Sequence, residues 1–167
     1  MDNKRLKDIL KSAILLELRG EAFYRKVAES SDNPDIRKIF EIMANEEVLH
    51  VKMLRDKYAE VNSNGKISAI TVPEDQDETA AGYVLSESIK NRIESAGFEA
   101  AAISAAIDME SRAIRLYSES AEKAGDINEK KLFHWLAEWE KGHHKLLFDL
   151  DNDLKERIWN DNRFWPF

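Results

Sequence analysis

The sequence repeats itself at an offset of 93 residues, and this repeat restricts the possible folds more than any other feature. Residues 12–54 align with residues 105–147 without a gap, and 14 of the 43 aligned positions are identical. Composition alone would give only a fraction of that number. We therefore predict that the chain contains one structural unit twice, with a connection between the two copies.

Each copy has the sequence pattern of two helices. Apolar residues recur at steps of three and four, which is the period of an amphipathic helix. Asn33 before Pro34, and Asp126 three residues before Glu129, are typical helix starts. The short turns that precede these starts make each copy a helical hairpin. The predicted helices cover about residues 4–30, 34–61, 98–123 and 126–155.

The connection between the hairpins is too long to be structureless in a compact domain. It contains a short apolar alternating segment and a predicted helix over residues 79–92, and it is long enough to cross a helical bundle. We therefore predict an all-α single domain, a four-helix bundle in up-down-down-up order. Its parts are hairpin 1 (about 4–61), the crossover (62–97), hairpin 2 (about 98–155) and an aromatic C-terminal tail (156–167) that we expect to fold back onto the bundle or a sister subunit.

Composition excludes several classes of function. The chain has no cysteine, which excludes disulfides, thiolate metal sites and cysteine nucleophiles and fits a reducing compartment. It has no apolar run long enough for a membrane span, and its first ten residues are charged where a signal peptide would be apolar. The net charge is -7, without a basic stripe. We expect a cytoplasmic protein that binds neither membranes nor nucleic acid.

Several of the repeated residues are polar, which packing alone does not explain. Glu47 and His50 lie three positions apart, on one helix face, so one helix can present a carboxylate and an imidazole to a common point. Glu17 lies in an apolar context that predicts a buried side chain. Four buried carboxylates would be prohibitively costly without cations, and two divalent ions would balance them. The repeated polar pairs are Glu17 with Glu110, Tyr24 with Tyr117, Glu47 with Glu140, and His50 with His143.

A glutamate from each of two helices and a Glu-x-x-His motif from each of the other two is the ligand set of di-iron sites in ferritin-like bundles. The segments LELRGEAFY and NEEVLH in the first half, with DMESRAIRLY and EWEKGH in the second, resemble the rubrerythrin family over roughly residues 4–155. The resemblance implies a ferritin-like fold, two iron ions, and tyrosines at 24 and 117 that hydrogen-bond to ligand carboxylates. The metal ligands that it implies are Glu17, Glu47, His50, Glu110, Glu140 and His143.

Two features depart from the family pattern. Rubrerythrins carry an additional ligand glutamate about one turn after the position of Glu110, where this chain has Ala113 or Ile114. They also carry a four-cysteine rubredoxin domain, which a chain without cysteine lacks. We therefore expect the electrons to come from a separate donor protein.

The repeat also separates the histidines. His144 competes with His143 as a ligand, but its counterpart in the first half is Val51, so the repeat favours His143. His134 corresponds to Glu41 and is predicted to lie on the surface. Among the glutamates, we expect those at 47 and 140 to bridge the two ions and those at 17 and 110 to bind at the ends.

The resemblance implies an oxidoreductase that reduces hydrogen peroxide or dioxygen. Iron suits a nitrogen and oxygen ligand set with redox chemistry, although manganese or zinc could occupy the same ligands. One alternative is a ferroxidase or iron-handling protein, and another is a metal-binding helical module without catalysis. We expect a small oligomer, most simply a homodimer.

Overall fold

The computed structural model describes residues 3–70, residue 80 and residues 97–160. Within this part of the chain it contains four long α-helices and no β-strand, which confirms the all-α prediction. The predicted helix over residues 79–92, apart from residue 80, and residues 161–167 of the predicted tail lie outside the described residues. The helices are α1 (Asn3–Ser30), α2 (Pro34–Asn64), α3 (Phe98–Glu122) and α4 (Ile127–Asn160). The last of them continues past its predicted end near residue 155.

The helix boundaries are set by local hydrogen bonds. The side chain of Asn33 accepts hydrogen bonds from the backbone N–H groups two and three residues ahead, at 3.0 and 3.3 Å. Asp126 does the same before α4, at 2.8 and 3.4 Å. At the end of α2, Gly65 adopts a left-handed conformation (φ 71°) and its N–H donates to the carbonyl of Val61. The side chains of Asn33 and Asp126, and the N–H of Gly65, thus pair backbone groups at helix ends that would otherwise lack a hydrogen bond.

The helices pack as two hairpins, α1 with α2 and α3 with α4, and α1 also packs against α3. Tyr24 contacts Glu110 while Tyr117 contacts Glu17, so α1 and α3 run antiparallel. With each hairpin antiparallel, the order along the chain is up-down-down-up, as predicted. The end of α2 and the start of α3 are then at opposite ends of the bundle, as the prediction of a long crossover requires. None of the described helices is long and apolar enough to cross a membrane.

The apolar core consists of two clusters, one toward each end of the bundle. In α1 one cluster uses Leu6 to Ala13 and the other Tyr24 to Ala28, so Glu17 lies between them. The clusters are related by the repeat, because each holds one member of every repeated core pair. These pairs are Ala13 and Ala106, Tyr24 and Tyr117, Ala28 and Ala121, Phe40 and Phe133, Ala44 and Ala137, and Leu54 and Leu147. The pseudo-two-fold axis that exchanges the hairpins therefore passes through the layer of carboxylates between the clusters.

Candidate metal centre

All six predicted ligands meet in the middle of the bundle. Their ligand atoms form two groups in which the atoms lie within 4.8 Å of one another, and both groups contain Glu47 and Glu140. Each of the six side chains is at most 3% exposed. The arrangement matches two adjacent cation positions that share two carboxylates. The groups are Glu17, Glu47, His50 and Glu140, and Glu47, Glu110, Glu140 and His143.

Both histidines direct Nδ1 towards the carboxylates. The Nδ1 atom of His50 lies 3.2 Å from Glu47 Oε2 and 3.1 Å from Glu140 Oε1. The Nδ1 atom of His143 lies 3.1 Å from Glu140 Oε2 and 3.4 Å from Glu110 Oε1. The two oxygens of Glu140 thus face different histidines, which is the geometry of a bridging carboxylate.

Some of these buried atoms lack hydrogen bonds despite their short distances. Both carboxylate oxygens of Glu140 and Nδ1 of His143 have no hydrogen-bond partner within the described residues, although they lie only 3.1 Å from one another or from a second ligand. Orphaned buried acceptors are rare in folded proteins, and a cation would satisfy these three together. The residues therefore fit a divalent metal pair.

Two tyrosines hold the outer carboxylates from the opposite helix. The hydroxyl of Tyr24 in α1 donates to Oε1 of Glu110 in α3, and the hydroxyl of Tyr117 in α3 donates to Oε1 of Glu17 in α1. The hydrogen bonds cross between helices because α1 and α3 run antiparallel. Burial, with the charge of Glu110, raises the pKa of Tyr24 well above its ordinary value, so the hydroxyl stays protonated and acts as a donor.

Without cations, the site holds protons. Burial, with a contribution from Glu140, raises the pKa of Glu110 to about 8. Burial followed by the charge of Glu140 also raises the pKa of Glu47. Burial alone would raise the pKa of Glu140, but His50 and His143 hold it well below its usual range. Burial alone would lower the pKa of each histidine, but the surrounding carboxylates raise it well above its ordinary value. Metal binding must displace these protons.

The metal-free protein is expected to become less stable as pH rises from about 5 to 8. Glu110 keeps its proton in the folded state up to a pKa of about 8 and loses it near its ordinary value of 4.5 when unfolded. In this window the folded state binds more protons, so the free energy of unfolding decreases with pH, by roughly 1 to 1.5 kcal/mol per pH unit for one proton. Thermal melts of chelator-treated protein should show a decrease of about 2 to 5 °C per pH unit.

The control for that prediction is Glu110→Gln, whose neutral amide imitates the protonated carboxyl. This variant should show a shallower dependence of melting temperature on pH. Saturation with metal should also flatten the slope of the unsubstituted protein, because the ions replace the protons. A melting temperature of the metal-free protein that increases between pH 5 and 8 would contradict the assignment.

Comparison with known proteins agrees with this geometry. A model of the rubrerythrin family matches residues 8–150. The chain belongs to the rubrerythrin family. A search of curated proteins found no match. A solved structure described as a hypothetical protein from Pyrococcus furiosus matches 90% of this chain and 90% of its own, with 21% sequence identity and a TM-score of 0.66. That likeness supports the fold.

A cavity of about 100 Å³ opens onto the site between α1 and α3. Its walls include the carboxylates of Glu17, Glu110 and Glu140 and two small residues, Gly20 and Ala113, which correspond to each other in the repeat. Ala113 is one of the two positions where other rubrerythrins are expected to carry an additional glutamate. A methyl group in place of that carboxylate leaves free volume beside the ligands. The sequence alone did not predict this cavity.

The other histidines lie outside the centre. His144 is half-buried and its ring stacks on Phe148, with centroids 5.8 Å apart, and it belongs to neither ligand group. His134 is exposed, as the repeat predicted. The structure thus places His143, and not His144, in a ligand group.

One buried carboxylate in contact with the site was not predicted. Glu46, which is 2% exposed, accepts a hydrogen bond from Nε2 of His143 at 2.5 Å and one from the backbone N–H of Ala80 in the crossover at 3.1 Å. The repeat could not indicate Glu46, because its counterpart is Trp139. Its position directly before Glu47 is the only local signal, and paired glutamates are common on exposed helix surfaces.

Proposed function

We propose that this rubrerythrin-family protein is a non-haem di-iron oxidoreductase that reduces hydrogen peroxide or dioxygen with electrons from an external donor. The observation that carries the proposal is the pair of ligand groups that share Glu47 and Glu140 and border a small cavity. The end ligands in this proposal are Glu17 and Glu110, and each ion takes one histidine.

We propose iron as the metal, because it suits this donor set and supplies redox chemistry. Four carboxylates and two imidazoles are hard to intermediate ligands, and the site contains no thiolate. Manganese and zinc accept similar ligands, but zinc supplies no redox chemistry. When bound, two iron ions would supply two electrons together by passing from the ferrous to the ferric state.

The size of the cavity favours a very small substrate. Sites for drug-sized organic ligands occupy roughly 300 Å³ or more. The volume beside Gly20 and Ala113 is about 100 Å³, and a water molecule in the liquid takes roughly 30 Å³. Peroxide and dioxygen fit this space, which favours a small oxidant.

The residues around the cavity can supply protons. Reduction of peroxide to two water molecules consumes two electrons and two protons, so protonated groups must lie close to the oxidant. Tyr24 borders the cavity and donates a hydrogen bond to Glu110, and Tyr117 donates one to Glu17, whose side chain also lines the cavity. In the proposal these tyrosines orient the end carboxylates and pass protons through them.

The electrons must come from outside these 167 residues. The 167 residues contain no cysteine, so they hold no thiolate-bound iron relay. We propose a separate redox protein as the donor.

The decisive experiment is anaerobic loading with two ferrous ions per chain, followed by stopped-flow mixing with peroxide and, separately, with dioxygen. We expect rapid oxidation by at least one of them, and repeated turnover when a chemical reductant is supplied. His144→Ala is the matched control and should behave like the unsubstituted protein, because that ring stacks on Phe148 outside the centre.

Other outcomes separate the alternatives. Absence of a spectroscopic change with both oxidants would support a metal-binding module without turnover. Continued uptake of ferrous iron well beyond two ions per chain, in an assembly of cage-like mass, would support a ferroxidase. A mass measurement on the same sample distinguishes such a cage from the small oligomer that we expect.

A further inference from the structure

The two histidines of the centre have different surroundings on their outer side. Both direct Nδ1 inward, so Nε2 points away from the four ligand carboxylates. Nε2 of His143 lies 2.5 Å from Oε2 of Glu46. Nε2 of His50 is buried and has no hydrogen-bond partner in the part of the chain that the structure describes. The six ligands are related by pseudo-symmetry, but the groups that contact the outer side of the two histidines are not.

This difference arises from one pair of repeat positions. Residue 46 in α2 corresponds to residue 139 in α4, and the antiparallel packing places each beside the histidine of the other helix. Glu46 thus meets His143, while Trp139 meets His50 with ring centroids 5.6 Å apart and planes at 87°. Trp135 also packs edge-on against His50, at 5.7 Å. His143 therefore has a carboxylate acceptor on its outer side, whereas the ring of His50 packs against two tryptophan rings.

The carboxylate of Glu46 is held in place by two contacts. Its Oε2 accepts from His143, and its Oε1 accepts the N–H of Ala80 at 3.1 Å. The side chain is 2% exposed and belongs to neither ligand group. A charge buried at this depth is costly unless it is hydrogen-bonded, and both oxygens meet that requirement.

We propose that Glu46 is a positioning residue for His143 and makes the two cation positions unequal. The position formed by Glu47, Glu110, Glu140 and His143 binds a divalent cation more tightly than the position that contains His50, and it fills first. This inference rests on the proposed metal site but not on the oxidase or peroxidase chemistry.

The physical reason is the tautomer of the imidazole. A hydrogen bond from Nε2–H to Glu46 keeps the lone pair on Nδ1, which faces the cation position, and it makes Nδ1 a stronger base. His50 needs the same tautomer to bind through Nδ1, but its Nε2–H has no acceptor among the described residues, and its ring packs edge-on against two indoles. Loss of such an outer partner typically lowers metal affinity about 10- to 100-fold.

The test isolates each position and uses Co²⁺ as the probe, followed by visible absorption. His50→Ala leaves only the position of His143, and His143→Ala leaves only that of His50. In the His50→Ala protein, Glu46→Leu should weaken Co²⁺ binding about 10- to 100-fold, and Glu46→Gln should weaken it less, because the amide oxygen still accepts from Nε2–H. In the His143→Ala protein, neither change should alter affinity by more than about threefold.

If Glu46 only stabilised the fold, its replacement would not affect the two positions differently. Two further measurements distinguish a positioning role from a purely structural one. Long-range ¹H–¹⁵N spectra of the Zn²⁺-loaded protein should show His143 protonated at Nε2, with this tautomer retained in Glu46→Gln and lost in part in Glu46→Leu. Trp139→Phe, the matched control at the corresponding position, should leave Co²⁺ affinity in the His50→Ala protein unchanged. Melting temperatures of the metal-free variants show whether each one is folded.

Two results would overturn the inference: unchanged Co²⁺ affinity in Glu46→Leu, or equal losses at both isolated positions. If the unsubstituted protein binds no Co²⁺ at all, the metal site itself is wrong and this inference fails with it. If Co²⁺ binds with the expected pattern but the iron-loaded protein reacts with neither oxidant, the inference stands and only the proposed catalytic function is wrong.

Discussion

Replacement of Glu140 by alanine is expected to abolish binding of both metal ions. Glu140 belongs to both ligand groups, with one oxygen 3.1 Å from His50 Nδ1 and the other 3.1 Å from His143 Nδ1. Its loss removes one ligand from each position and leaves the two histidines with less negative charge around them. Iron content should fall from about two ions per chain to nearly none, a larger loss than the roughly 100-fold weakening for an outer partner.

The measurement is metal content after anaerobic loading and desalting, together with stopped-flow oxidation by peroxide, which should fall to background. Glu138→Ala is the matched control. It lies two residues earlier on α4, is exposed and pairs only with Lys141 among the described residues, so its loss should change neither quantity. Retention of one tightly bound ion in Glu140→Ala would show that this carboxylate serves only one position.

The fold was largely predictable because the signals that define it, helix caps and apolar spacing, are local and occur in both halves of the chain. The caps at Asn33 and Asp126 fix two helix starts, and the three-and-four spacing of apolar residues fixes the helix faces. The 93-residue offset then relates the hairpins, and the long crossover requires that α2 and α3 run in the same direction. The end of α4 was less predictable, because no glycine or proline marks it before Asn160.

The clustering of the six side chains was predictable for the same reason. A pair such as Glu17 and Glu110 is conspicuous only because it recurs at the offset that aligns the cores. Glu46 has no such signal, because its counterpart is Trp139 and its role depends on a contact between α2 and α4. The crossed pairing of Tyr24 with Glu110 also depends on how helices pack. Sequence periodicity identifies the face of a helix, but not which residue of the facing helix it meets.

Replacement of either histidine alone is expected to leave a mostly mono-iron protein with almost no reactivity towards peroxide. Each histidine belongs to only one ligand group, so His50→Ala and His143→Ala should each weaken one position and spare the other. Transfer of two electrons without a radical intermediate requires both ions, so oxidation should be nearly lost in both variants. Iron content, stopped-flow oxidation and thermal melts measure these effects, with His144→Ala as the unchanged control.

The two variants should nevertheless differ in stability. His143→Ala leaves the buried carboxylate of Glu46 without its imidazole donor, and an unsatisfied buried group costs about 1 to 3 kcal/mol. His50→Ala removes a ring packed against Trp135 and Trp139 and orphans no acceptor on that outer side among the described residues. The metal-free His143→Ala protein should therefore melt below the His50→Ala protein. Full iron loading and undiminished turnover in His143→Ala, with loss in His144→Ala, would instead mean that the 93-residue register assigns the wrong histidine to the metal.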